Sequence, residues 1–249
     1  LRGCIDVKSS CVVGFDVWGT LLDLEKILGA IAEIASSIRG VDKALVSQSL
    51  FRLHEEMKTL RRINPSLKPA DLLEASRISM MQALGISGDE LGDLLNEVFN
   101  SLKEDNIVFS DVLPALKALK TRKIRMGVVG NVLFWPSKYT IKLLENTGIA
   151  SYIEHAVFSD EVGISKPDRG IFLFFSEIIG VSPENLIYVG DNIVEDVGGA
   201  LAAGAVGVLV NRKAGRTTIV PELRVALINS LDQVISVYKV FCENRLSLD

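Results

Sequence analysis

Short apolar runs alternate with longer stretches of helical spacing along most of this chain, and one long helical interruption breaks the alternation. Cys11 to Phe15 is an apolar run that ends at Asp16 and Gly19-Thr20, the pattern of a buried parallel strand entering a functional loop. From Leu22 to about Lys103 apolar residues recur at helical spacing over Leu24 to Ile38, Lys43 to Ile63, Ala70 to Leu84 and Glu90 to Leu102. Gly40-Val41-Asp42, Asn64-Pro65 and Gly85-Ile86-Ser87-Gly88 separate these four helices. After Asn106 the alternation resumes. Strands are predicted at Ile124 to Val129, Ala156 to Ser159, Leu186 to Val189 and Val206 to Val210. Helices are predicted at Val112 to Thr121, Ser137 to Asn146, Asp168 to Ile179, Glu195 to Ala203 and Asp232 to Cys242.

Strands alternating with helices imply an α/β fold with a doubly wound parallel sheet covered on both faces. Residues 1–21 and 106–249 are expected to form that core, with residues 22–105 inserted after the first strand as a four-helix cap. Ligands bind at the C-terminal ends of such strands. The residues there are Asp16, Gly130-Asn131, Ser159-Asp160 with the following Lys166, and Asp191.

Composition narrows the function. With 249 residues, 48% of them hydrophobic, the chain has material for a substantial core. A net charge of −4 and the lack of a dense Lys/Arg run give no footprint for nucleic acid or an anionic membrane. The longest apolar stretch, Val197 to Val210, is glycine-rich and shorter than the roughly 18 residues of a membrane span. Asp6 and Lys8 precede the first apolar run, which does not read as a signal peptide, so a cytoplasmic location is expected. Cys4, Cys11 and Cys242 are too few and too scattered for a disulfide framework or a zinc site. Cys11 reads as core, and a Cys4 to Cys242 pairing is disfavoured. The expected partner is a small anionic substrate, and the expected state a monomer or homodimer.

The order Asp-x-x-Gly-Thr, Val-Gly-Asn, Lys-Pro and Gly-Asp-Asn-x-x-x-Asp, one motif at each of four strand ends, resembles the haloacid dehalogenase superfamily. The helical insert resembles the cap of its 2-haloacid dehalogenases and many small-molecule phosphatases. The resemblance implies that Asp16 is a carboxylate nucleophile forming an acyl-type intermediate that water hydrolyses. It implies that Lys166 neutralises charge between Asp16 and the substrate, and that Asn131 contributes donors around the anion. Thr20 either holds the transferring group or caps a turn. Asp191, Asp16 and the carbonyl of Trp18 would ligate Mg²⁺, with Asp196 orienting waters or Lys166. An oxygen-rich acidic cluster suits that hard cation on chemical grounds as well.

Two departures bear on the reaction. Family phosphatases carry a second Asp two residues after the nucleophile as general acid, whereas this chain has Trp18. Indole cannot exchange a proton near neutral pH, so the loss is expected to cost about 10² to 10⁴ in rate on an alkoxide leaving group. Gly130 stands where the family has Ser or Thr; it either opens the backbone N–H or admits a bulkier substrate. The expected activity is therefore Mg²⁺-dependent hydrolysis of a small phosphorylated metabolite with a good leaving group. The alternatives are 2-haloacid hydrolysis, favoured by an aromatic residue at position 18, and a catalytically weak ligand-binding protein. Dehalogenase caps supply a substrate-binding arginine; Arg39, Arg52, Arg61, Arg62 and Arg77 all stand in the cap here. Trp18 and Trp135 follow strand ends and are expected near the entrance. His54 is expected to be solvated, His155 to lie at a strand entry, and the charged stretch from His54 to Arg62 to be a solvated helix face.

Overall fold

A computed structural model of the chain describes residues 11–64 and 66–243. The readings at Cys4, Asp6, Lys8 and Pro65 lie outside the described residues. Strand β1 (Val12–Phe15) is followed by helices α1 (Leu24–Arg39), α2 (Lys43–Ile63), α3 (Pro69–Leu84) and α4 (Gly88–Ser101), and by a single turn, α5 (Glu104–Ile107). The remainder alternates: α6 (Val112–Thr121), β2 (Arg125–Gly130), α7 (Ser137–Asn146), β3 (His155–Phe158), α8 (Ser159–Val162), α9 (Arg169–Ile179), β4 (Leu186–Gly190), α10 (Gly199–Ala202) and β5 (Val206–Val210). Strands β6 (Thr218–Val220) and β7 (Val225–Ile228) and helix α11 (Val234–Tyr238) complete it.

The seven strands form one sheet in the order β3-β2-β1-β4-β5-β7-β6, parallel except for β6 against β7. Alternate residues of the central strands enter two separate cores, as a sheet buried on both faces requires. Val13, Phe15, Val128 and Ile187 join α6, α7 and the inserted helices on one side. Val12, Val129, Leu186 and Tyr188 pack against α9 and Ala200 on the other. The fold is therefore the doubly wound α/β architecture that the alternation predicts. Among the described residues no helix is long and apolar enough to cross a membrane.

Helix ends follow local chemistry. Asp23 caps α1 by accepting from Glu25 N and Lys26 N, Gly40 closes it in the left-handed conformation, and Ser87 with Glu90 forms a capping box on α4. The structure differs from expectation in three places. β6 and β7 were not predicted: three and four residues around Pro221 are too short to show a period. The helix expected from Glu195 begins earlier, as a π-helical turn over Ile193–Gly198. Cys11 is buried in the core as expected, but against expectation it forms a disulfide, with Cys242, whose segment returns beside the start of β1 and brings the two Cα atoms to 6.1 Å. A separation of 231 residues left no local sign of that pairing.

Candidate active site

Asp16 leaves β1 with its N–H donating to Val189 O of the adjacent strand (2.8 Å), and the chain then turns sharply. Leu21 N and Leu22 N both donate to Val17 O (2.8 and 2.9 Å), and Gly19 N donates to Leu22 O (2.7 Å). These bonds take the carbonyls of Val17 and Leu22 and not that of Trp18. Gly19 sits at φ +84°, and a Cβ on it would collide with the Asp191 carboxylate; both facts require glycine there. From beyond β5, Arg212 donates to Gly19 O (3.1 Å) and Thr20 O (2.8 Å), pairs with Asp111 (2.9 Å) and stacks 3.9 Å over the Phe109 ring. The loop that carries Asp16 is thus braced from both sides.

Lys166 is buried, and its Nζ donates to Asp16 Oδ1 (2.6 Å), Asp196 Oδ1 (2.7 Å) and Tyr188 Oη (2.9 Å). Tyr188 Oη in turn donates a hydrogen bond to Val129 O (2.6 Å). Asn131 holds the Lys166 backbone from both ends: its Oδ1 accepts from Lys166 N (2.8 Å) and its Nδ2 donates to Lys166 O (2.9 Å). Asp196 Oδ2 accepts from Asn192 N (2.9 Å), so both its oxygens are engaged. Asp16, Asp191 and Asp196 each place a carboxylate oxygen within 4.8 Å of the others.

The electrostatics follow from that crowding. Burial would discharge Lys166, but Asp16 and Asp196 hold its ammonium well above the ordinary range. Burial raises Asp16 against the pull of Lys166, with Asp191 adding to the rise. Asp196 is pushed up to about 6 by burial and by Asp16, again against Lys166. Asp191 is also pushed up to about 6, by the desolvating pocket walls and by Asp196, although its side chain still meets solvent. Lys166 donates to two of these three carboxylates, Asp16 and Asp196, while Lys58 of the cavity lining draws on Asp191; the oxygen donor set they form fits a hard divalent cation. Asp16 and Asp191 are the carboxylates whose oxygens remain open to it.

A cavity of about 60 Å³ opens over these groups. The core lines it with Asp16, Trp18, Asn131, Lys166, Asp191 and Asp196, and with the aromatic wall of Phe134 and Trp135. Trp18 and Trp135 meet edge to face at 5.4 Å, and Trp135 is buried, donating to Thr140 Oγ1 (3.2 Å). From the inserted helices, α2 contributes His54, Lys58 and Arg61. The stretch from His54 to Arg62 is accordingly not a solvated face throughout. Arg61 is buried and pairs with Glu195 at 2.8 Å, while Arg62 reaches the same carboxylate at 3.2 Å. His54 is not solvated either: its side chain is 13% exposed.

Two expected site residues stand apart from the cavity. Thr20 is buried, its hydroxyl has no hydrogen-bond partner among the described residues, and it does not line the cavity. Gly130 lies behind it, where a Cβ would come within 2.7 Å of the Phe158 ring; that ring occupies the space a Ser or Thr side chain would need. His155 lies at the entry of β3, as expected. Sequence reasoning passed over Tyr188, Glu195, Arg212 and the cavity face of α2. The last had a sign: His54, Lys58 and Arg61 recur at i, i+4 and i+7, one side of a helix.

The family model for haloacid dehalogenase-like hydrolases matches residues 12–204. Over 104 residues the chain is 36% identical to a glyceraldehyde 3-phosphate phosphatase of Methanopyrus kandleri, a match covering 42% of this chain and 43% of that protein. It is 28% identical over 212 residues to a phosphoglycolate phosphatase of Escherichia coli O157:H7, covering 77% of each. In fold it is similar to the L-2-haloacid dehalogenase of Xanthobacter autotrophicus with chloropropionic acid covalently bound, with a TM-score of 0.69 at 18% identity over 92% of this chain and 98% of that one. The chain belongs to the haloacid dehalogenase-like hydrolases.

Proposed function

We propose that this hydrolase removes phosphate from a small metabolite with Asp16 as nucleophile and Mg²⁺ as cofactor, and that substrates with a good leaving group, such as acyl phosphates, react fastest. One observation carries the reading: Asp191 stands beside Asp16 in an oxygen cluster whose charge Lys166 alone does not balance. Phosphatase names among the relatives agree with it. In this reading Asp16, Asp191 and the Trp18 carbonyl would hold Mg²⁺, which would supply positive charge to the phosphoryl oxygens. Lys166 keeps the Asp16 carboxylate ionised and oriented, and its ammonium offsets charge on the transferring group. Asp196 and Tyr188 fix Lys166, while Asn131 fixes the loop that carries it. Asp16 attacks phosphorus, the leaving oxygen departs, and water hydrolyses the aspartyl phosphate. The small cavity and its aromatic wall select a compact substrate. Thr20 and Gly130 act through the loop and sheet they belong to rather than by touching substrate.

A panel of phosphorylated metabolites assayed for phosphate release tests the reading. Turnover is expected to disappear in Asp16→Asn, in Asp191→Ala and on chelation; activity surviving all three would refute it. Trp18 favours a second reading, hydrolysis of 2-haloacids, because halide departs without a proton. Halide release from 2-chloropropionate in the presence of chelator would establish that reading instead. A cytoplasmic location belongs to the first reading. Since most disulfides stay open in a reducing cytosol, the state of Cys11–Cys242 in protein alkylated at lysis is its test.

A further inference from the structure

We propose that His54, on α2, is the general acid and base of this enzyme, replacing the carboxylic acid that Trp18 displaces. The inference rests on Asp16 acting as a phosphoryl-accepting nucleophile. In such a displacement the attacking and leaving oxygens lie roughly in line across phosphorus, so the leaving oxygen points away from Asp16. The core supplies Asp16, Lys166 and Asp191 to the cavity, and α2 supplies His54, Lys58 and Arg61. The leaving group therefore departs towards α2.

Of the side-chain types available there, an ammonium, a guanidinium and an indole are not general acids near neutral pH. Imidazole is. The His54 ring lies 6.0 Å from that of Phe134 in the cavity wall, and its Nδ1 lies 3.3 Å from Glu55 Oε1. Glu55 stays ionised, at about 2, through that bond and Lys58, so it orients the imidazole and leaves Nε2 for substrate. In the free enzyme, burial, Lys58 and Arg61 disfavour the imidazolium, while Glu55 favours it. Across the cavity stand Asp16, Asp191, Asp196 and Glu195, with Lys166 among them. A bound phosphate dianion adds negative charge and favours the protonated ring.

The step balances as follows. Asp16 Oδ bonds to phosphorus as the P–O bond of the ester breaks, and His54 Nε2 gives its proton to the departing oxygen, releasing an alcohol. Water then gives a proton to the neutral imidazole and attacks phosphorus, restoring Asp16 and releasing phosphate.

His54→Gln is compared with the wild type on two substrates: the alkyl phosphate that the wild type turns over fastest, and acetyl phosphate, whose leaving group needs no proton. kcat on the alkyl phosphate is expected to fall about 10² to 10⁴-fold, and kcat for forming the aspartyl phosphate from acetyl phosphate to change little. Equal losses on both substrates, or none on either, would overturn the role of His54. So would a wild type that cleaves acetyl phosphate but no alkyl phosphate, and in that case Asp16 chemistry stands without it. Loss of all phosphatase activity in the wild type would instead remove the reading on which the inference rests. A folding-independent measurement uses His155→Asn, which leaves His54 as the one histidine of the chain. Inorganic phosphate is expected to shift its imidazole resonances towards the protonated form, and unmoved resonances at saturating phosphate would overturn the proposal.

Discussion

The metal site is open to a test that needs no substrate, because protons and Mg²⁺ compete for the same carboxylates. Burial and neighbouring carboxylates push Asp196 and Asp191 up to about 6 in the folded protein, from an ordinary aspartate value of 3.8. A carboxyl with a raised folded pKa binds more protons folded than unfolded, so stability is highest at low pH, falls as pH rises from 3.8 to about 6, and is level above. For the buried Asp196 a rise of about two units corresponds to about 3 kcal/mol; Asp191 meets solvent and adds less. His54, with its lowered pKa, runs the other way in an overlapping window: folding is favoured as pH rises towards 6.5. The pH profile of the protein alone therefore mixes opposing slopes. The difference between profiles with Mg²⁺ and with chelator removes the shared terms. At about pH 7.5 and Mg²⁺ near ten times its Kd, binding adds about 1.4 kcal/mol, or about 3–6 °C in Tm for a chain of this length. At about pH 5 the Asp191 carboxyl is about nine-tenths protonated, apparent affinity falls about tenfold or more, and the gain shrinks to about 0.4 kcal/mol or less. Differential scanning fluorimetry across that range measures it. No Mg²⁺ stabilisation at the higher pH, or the same stabilisation at both, would refute the argument.

Four further outcomes follow from particular contacts. Gly130→Ser, which restores the family hydroxyl, is expected to lose about 1–3 kcal/mol in urea denaturation through overlap with Phe158, and to gain no activity. Glu195→Gln strands the Arg61 guanidinium, a change worth about 3–5 kcal/mol if α2 stays docked. Because the pair joins α2 to the core, the relief is local opening, read as faster hydrogen exchange in α2 with a smaller change in Tm. Arg212→Ala removes charge-assisted bonds to Gly19, Thr20 and Asp111 and is expected to cost about 1.5–3 kcal/mol and to weaken Mg²⁺ binding; an unchanged Mg²⁺ Kd would leave Arg212 a purely structural brace. Reducing Cys11–Cys242 is expected to cost about 2–5 kcal/mol, read as a lower urea midpoint with reductant than without.

What the sequence revealed and what it hid separate along physical lines. Period sets the helices and central strands, so α2 and α7 begin and end where the spacing places them, and the chemistry at the ends of β1, β2 and β4 follows from the crevice rule for parallel sheets. Contacts between distant segments leave no periodic trace. Arg212 and Gly19 are 193 residues apart, Glu195 and Arg61 134, and Cys11 and Cys242 231. Tyr188 was hidden for another reason: in a fully buried strand an aromatic residue reads as packing, and only its place beside Lys166 makes its hydroxyl part of the site.

The face of α2 was misread for the most instructive reason. A row of charged and polar residues on a helix predicts that the face avoids hydrocarbon, and water and a polar cavity satisfy that condition equally. Spacing distinguishes them in part. Arg52, Glu55, Glu56 and Thr59 point outward, whereas His54, Lys58 and Arg61 share the side that turns to Asp16. Once that side is closed over the nucleophile, the replacement at Trp18 takes on a different meaning. The first loop has lost an acid but gained an indole packed edge-on to Trp135, while the opposite wall carries an imidazole within a carboxylate's reach. The chemistry missing from β1 need not be missing from the enzyme, because the leaving group meets α2 rather than the loop as it departs. The Arg61–Glu195 pair holds α2 against the core with His54 in the cavity wall. On this account Glu195→Gln should slow formation of the aspartyl phosphate from alkyl phosphates more than from acetyl phosphate, through the loss of the pair that holds α2.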